Sequence, residues 1–339
     1  MTLEQRRSAI DEIEKMRSGR QLVALCTFDR DEHPAHLGAN LTLTEDIKEP
    51  LYRVLKETVQ PGKKLDLFLY TRGGDTRAVW PIVCLLREFD PDFEVLIPFR
   101  AHGCGTLLAL AAKKIVMTPL AELSLLEPAG SPIDVHSNGN GNGHVHGVGV
   151  EDVSSYLEFV RELMHANLED GVETVESHAL EPHLKELTSR VHPLALGRLH
   201  RERMQIKMLA QLLLLKHYGV GDAVDNLIEG LTTNYYSQQH LLGRYEARDL
   251  LGENHVEFAR PALAGKLDLL LQCYEDDFQV RQPLFLNRLA ADKDLRLVGG
   301  CVESHAAGYL YQTSLRHVEA EIPAEIVAQS WARSATVSV

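Results

Sequence analysis

Two short stretches gather residue types that can do chemistry: Thr71-Arg72-Gly73-Gly74-Asp75-Thr76 and Ala101-His102-Gly103-Cys104-Gly105-Thr106. Glycines at a strand end let the backbone turn tightly and approach a ligand closely. Gly73 and Gly74 can therefore offer N–H groups to a developing oxyanion, the electrostatic core of acyl-transfer chemistry. The second stretch opens a helix, where Cys104 and Gly105 add unpaired N–H groups and the positive end of a dipole. A thiolate at Cys104 is stabilised in such a place, and His102 lies two residues upstream. A plainer reading competes with this one: both turns merely close loops in an α/β sheet, and Cys104 fills a small apolar position.

Several elements must position these residues. Residues 4–17 read as an amphipathic helix, Leu22–Cys26 as a strand, and Thr44-Glu45-Asp46 as a helix start with Ile47, Leu51, Val54 and Leu55 at helical spacing. Leu65–Tyr70 is a buried strand by its apolar run, Ala78–Phe89 a packed helix that holds Cys84, Glu94–Pro98 a strand, Gly103–Ala112 a helix and Lys114–Met117 a strand. This β-α-β-α-β order implies parallel strands joined by right-handed crossovers. Ligands then bind beyond the carboxyl ends of the strands, where both glycine turns fall.

Further along, Ser137–Gly149 is a glycine-asparagine tract that reads as a flexible loop. Its His144 and His146 lack a third ligand at a sensible spacing, so a metal site is not expected there. Val150–Met164, Leu180–Arg190 and Leu196–Tyr218 are helical by pattern, the last ending at Gly219 as a C-cap. Its Arg198, Arg201, Arg203 and Lys207 form a solvated face by default, with a basic docking stripe as the alternative. His192, before Pro193, reads as a packed core histidine. Gly299–Val302 and Gly308–Thr313 suggest a hairpin.

The segments Leu65–Thr76 and Val95–Met117 resemble the serine dehydrogenase proteinase family, relatives of signal peptide peptidase A and of the Clp protease proteolytic subunit. Val150-Glu151-Asp152-Val153, Val191–Gly197, and Tyr236–His240 with Arg244, Glu246 and Ala247 are similar to that family in the same order. The resemblance implies a Clp-protease/crotonase-like α/β fold, a β-α-β superhelix with an added helical region and a C-terminal appendage. It divides the chain into a core at 1–136, the loop 137–149, a helical part at 150–255 and an appendage at 256–339. It also implies a homo-oligomer built on trimers.

Three departures from the family pattern bear on function. Where the family reads Ala-x-Ser-small-small-Thr, this chain has Gly103 at the serine position, between Ala101 and Thr106. Glycine has no side chain and cannot attack. Where the family tends to Tyr-Ser-His-x-His, the first histidine is Gln238, which cannot shuttle a proton near neutral pH. His240 keeps its family position and is the remaining acid–base candidate. The family's Gly-Pro-Ile-Asp-Pro turn is replaced by Leu125-Leu126-Glu127-Pro128, with Pro132-Ile133-Asp134 displaced.

The 339 residues carry a net charge of −13, which argues against a nucleic-acid partner. Five scattered cysteines with no CxxC pair suit reduced thiols, and with no apolar leader the expected location is the cytoplasm. No run of eighteen apolar residues suggests a membrane span. Without GxGxxG, P-loop, HExxH or GxSxG motifs, no cofactor is expected. The leading expectation is a peptidase-fold pseudoenzyme that binds a peptide or protein ligand. Alternatives are a hydrolase using Cys104 or a water oriented by His240, and a crotonase-type thioester enzyme, for which only Asp75 lies near as a base.

Overall fold

The computed structural model describes residues 3–28, 42–126, 153, 155–156, 158–162, 181–219, 221–232, 240–281, 294–316 and 325–334. The chain divides into two compact units, Met1–Leu126 with Ala210–Val339, and Glu127–Leu209.

The first unit is built on strands β1 (Gln21–Thr27), β2 (Leu65–Tyr70), β3 (Glu94–Ile97), β5 (Lys114–Met117) and β8 (Val256–Phe258), which pair in parallel. β9 (Asp294–Glu303), β10 (Gly308–Arg316) and β11 (Glu325–Arg333) add three antiparallel strands beside β1. Together they make one eight-stranded sheet in the order β11-β10-β9-β1-β2-β3-β5-β8. Every residue of β1 and β2 is buried, as expected of parallel strands covered on both faces. A second sheet of three short strands, β4 (Arg100–Ala101), β6 (Glu122–Ser124) and β7 (Leu241–Gly243), stands in the order β4-β6-β7.

Helices α1 (Leu3–Met16), α2 (Lys48–Thr58), α3 (Thr76–Phe89) and α4 (Cys104–Leu110) follow the order read from the sequence. The apolar stripe of α1 (Ile10, Ile13) joins Leu22, Phe68 and Tyr70 in the core, together with Leu267 and Tyr274 from a later helix, Pro261–Asp277. Where β2 and β3 begin, buried Asp66 accepts from Arg17 at 2.8 Å and Arg20 at 2.5 Å, and Glu94 binds Arg17 as well. A carboxylate with no exposure needs such partners, because desolvation alone would cost more than one contact returns.

Three expectations are corrected here. Residues 256–339 are not an appendage to this sheet: they supply four of its eight strands, β8 to β11, and β9 pairs directly with β1. Cys84 does lie in α3 but is exposed rather than packed. His192 is exposed, and its Nδ1 accepts the Leu194 N–H at 3.2 Å. That contact caps the long helix Pro193–Tyr218, which opens with proline at its first position.

In the second unit the described residues include α5 (Glu181–Arg190) and the first part of that long helix, α6. The glycine-asparagine tract, the displaced Pro132-Ile133-Asp134 and most of Val150–Met164 lie outside the described residues. The chain then continues through α7 (Asp222–Thr232), α8 (Arg244–Leu251) and α9 (Pro261–Asp277).

Just before β8, His255 is buried against the rings of His217 and Tyr218, and its Nε2 is without a partner among the described residues. Burial, aided by the neighbouring His217, pushes its pKa down from 6.5 to about 4. The unfolded chain therefore takes up a proton that the folded chain refuses. Above pH 6.5 the fold keeps the full benefit; as pH falls toward 4 that benefit is lost, by roughly 3 kcal/mol at most. Urea titrations from pH 7.5 to 4 should show this fall, and His255→Phe should flatten that part of the profile.

Candidate functional site

The site is assembled from main chain at the carboxyl ends of β2 and β4. Thr71 pairs with Ala101, and Leu43 pairs with Gly74, each as an isolated parallel bridge. Leu43 donates to the Gly73 carbonyl at 2.9 Å and accepts the Asp75 N–H at 2.8 Å. A Cβ on Gly74 would stand 2.2 Å from the Leu43 oxygen, so only glycine admits this contact. A Cβ on Gly73 would meet the His102 carbonyl at 3.2 Å, which places the two glycine-bearing turns in direct contact.

Gly103 joins β4 to α4 with φ 52° and ψ −110°. This is a sharp, strained strand-to-helix turn of the kind that presents a nucleophile in hydrolases. A Cβ built there meets only the Gly73 Cα, at 3.6 Å, so the position has room for a side chain although none is present.

Hydrogen bonding decides which N–H groups face a ligand. Gly73 N–H donates to Thr71 Oγ1 at 3.0 Å, Gly103 N–H to Ser124 Oγ at 2.7 Å, and Gly105 N–H to the His102 carbonyl at 2.7 Å. Gly73 and Gly105, both expected as oxyanion donors, are therefore committed to the fold. Gly105 serves packing instead, since a Cβ there would fall 2.5 Å from Thr71 Cγ2. The N–H groups of Gly74 and Cys104 have no oxygen acceptor among the described residues, and both lie within reach of the Cys104 sulfur. Gly74 points its polar groups away from Leu43, and its carbonyl accepts the Cys104 thiol at 3.1 Å. Of the four expected oxyanion donors, these two are the pair that no described oxygen engages.

Among the described residues no activated nucleophile stands beside them. Burial, together with the Asp75 charge, pushes the Cys104 thiol up to about 12, and its side chain is buried. His102 Nε2 lies 3.0 Å from Glu122 Oε1, and burial pushes its pKa down despite that carboxylate. Asp75 caps α3 through the Arg77 N–H, and the Arg77 side chain holds its pKa below the usual carboxylate value.

His240 precedes β7, whose Leu241 pairs with Ser124. Because β7 runs antiparallel to β6, His240 stands at the end of the small sheet from which the Gly103 turn departs. Its Nε2 lies 3.1 Å from Glu246 Oε1, a carboxylate partner able to orient the ring. Gln238 lies outside the described residues.

The sequence reading did not single out Thr71, Ser124, Glu122 or Leu43. Thr71 follows the apolar run Leu65–Tyr70, whereas Ser124 follows Glu122-Leu123 and carries no local signal. Asp11, Glu14 and His305 bring ligand atoms within 4.8 Å of one another. Glu14 already accepts the Leu22 N–H at 2.7 Å and meets His305 at 3.3 Å, so internal contacts explain that group. Among the described residues no helix is long and apolar enough to cross a membrane.

Residues 1–136 match the family described as ClpP-like SDH-type serine proteinase. Two uncharacterized proteins of Methanocaldococcus jannaschii are similar to part of the chain. One is 33% identical over 86 residues, covering 25% of this chain and 30% of its own length. The other is 31% identical over 121 residues, covering 35% and 40%. The chain thus spans less than half of either relative. Among solved structures, a ClpP1 mutant from Listeria monocytogenes aligns at 14% identity with a TM-score of 0.38, over 74% of this chain and 99% of that one.

A buried thiol with a raised pKa reacts slowly, because the thiolate is the nucleophile. Cys104 should be carboxymethylated by iodoacetamide at pH 7.5 more slowly than the exposed Cys84, by about tenfold or more. Peptide mass spectrometry over a time course reads both sites in one sample.

Proposed function

We propose, from the match of residues 1–136 to the ClpP-like SDH-type serine proteinases, that the protein binds a peptide carbonyl without cleaving it. One observation carries the reading: Gly74 and Cys104 keep N–H groups that no described oxygen accepts, beside a turn whose position 103 is glycine and has no hydroxyl. Such donors stabilise a carbonyl oxygen as well as an oxyanion, and they belong to the backbone, so losing a side chain leaves them in place. An extended peptide that lays a carbonyl between the two turns is the ligand class this suits.

The alternatives are weaker on the same geometry. Cys104 is too well buried to attack, and Asp75, the nearest acid for thioester chemistry, is held by Arg77. A water activated by His240 is the second reading, favoured by its contact with Glu246. Cytoplasmic residence and assembly into a trimer-based homo-oligomer complete the proposal. Exposed Met204, Met208, Leu212 and Leu215 recur at helical spacing along α6, an apolar stripe that a second subunit is suited to cover. Native mass spectrometry at micromolar concentration should find oligomers, and a monomer would count against this part.

The central test restores the missing group. The wild-type protein should not turn over casein or fluorogenic peptides; turnover abolished by His240→Ala would favour the second reading. Gly103→Ser should cost about 1–3 kcal/mol of stability, because a side chain there adopts a strained backbone. It should nevertheless accept a fluorophosphonate probe at residue 103. Adding Gln238→His should speed labelling by about 10², the lower end of what a general base contributes. No adduct in either variant, with circular dichroism unchanged, would overturn the assignment of position 103.

A further inference from the structure

Cys26 and Cys301 face each other across the junction of β1 and β9, paired in register and both without solvent exposure. Directly opposite residues of a ladder carry their side chains on the same face of the sheet. Phe28 donates to the Gly299 carbonyl at 2.7 Å, which marks the neighbouring pair as hydrogen-bonded. Antiparallel ladders alternate, so Cys26/Cys301, two residues back, is a pair of the same kind. Cα atoms in such pairs stand about 5.5 Å apart, within the span of a disulfide. Their Cβ atoms stand about 4.5–5.5 Å apart, against about 3.5–4.5 Å in a disulfide.

We propose that Cys26 and Cys301 form a reversible dithiol/disulfide site joining the C-terminal strands covalently to the core of the sheet. The oxidant is a small disulfide such as oxidised glutathione. One cysteine thiolate attacks a glutathione sulfur and expels the first glutathione thiolate. The second cysteine then attacks the protein-bound sulfur of the mixed disulfide and expels the other. Two thiols and one glutathione disulfide thus give one protein disulfide and two glutathione thiols, the cysteine protons ending on the departing thiolates. Closing the Cβ gap tightens the ladder by roughly 1 Å, and a strained disulfide is readily reduced. Burial pushes the Cys301 thiol up, so exchange must wait for β1 and β9 to part and is slow.

The location gives the bond a consequence. Thr27 follows Cys26, and its hydroxyl lies 2.6 Å from that of Thr71, which accepts the Gly73 N–H. Oxidation therefore acts one residue from the floor of the glycine turn. The inference does not depend on the peptide-binding reading, since it concerns thiols outside the donor pair.

The wild-type protein, both native and refolded from urea, is incubated with oxidised glutathione, alkylated under denaturing conditions and digested without reduction. A linked peptide pair containing Cys26 and Cys301 is expected in both samples, lost on adding dithiothreitol. It should appear in the native sample more slowly than glutathionylation of Cys84. Refolding removes burial as a reason for failure. Alkylated Cys26 and Cys301 in the refolded sample, mixed glutathione adducts without a link, or a link from either residue to Cys104 or Cys273 would each overturn the proposal.

Discussion

The site depends on backbone approaching backbone at Gly73 and Gly74. Leu43 lies against Gly74 at a separation no side chain permits, and the 102–104 turn lies against Gly73. The Leu43 bridge uses the Gly73 carbonyl and the Asp75 N–H, which turns the polar groups of Gly74 to the opposite side. There its carbonyl accepts the Cys104 thiol. The whole arrangement is made of main-chain groups. Its geometry therefore does not depend on which side chain stands at position 103.

The surrounding charges are arranged to stay quiet. Asp75 is occupied by Arg77, Glu122 by Arg100 and His102, and the Cys104 thiol is kept protonated by burial. Each group that could act as a nucleophile or base at the turn is thus neutral or committed. The His240–Glu246 pair is the exception, and it belongs to a different segment that reaches the site through the small sheet. Covalent attack needs a nucleophile and its base in one place, and among the described residues the turn does not bring the two together.

The C-terminal strands are part of the same scaffold. β9 covers the edge that β1 would otherwise leave open, and an open parallel edge is a liability. Arg6, buried in α1, bonds Glu303 at the end of β9 at 2.8 Å, which fastens the two ends of the chain through a paired buried charge. Cys26 and Cys301 sit along that seam, in the ladder it protects.

By itself the sequence determined the local architecture. Strands Leu65–Tyr70 and Lys114–Met117 stand where their apolar runs placed them, and the β2-α3-β3-α4-β5 alternation follows from short apolar runs separated by glycine-bearing turns. It also determined that residue 103 has no side chain to react. Only the tertiary structure decided which N–H groups remain free. Gly73 and Gly105 looked as suitable as Gly74 and Cys104, but Thr71 and His102 accept their hydrogen atoms. Likewise the pairing of β9 with β1, of Leu43 with Gly74 and of Ser124 with Gly103 joins residues remote in sequence or on separate strands. Periodicity reports which face of an element is apolar. It carries no record of which distant backbone group will satisfy a given donor, and here that satisfaction separates Gly73 and Gly105 from Gly74.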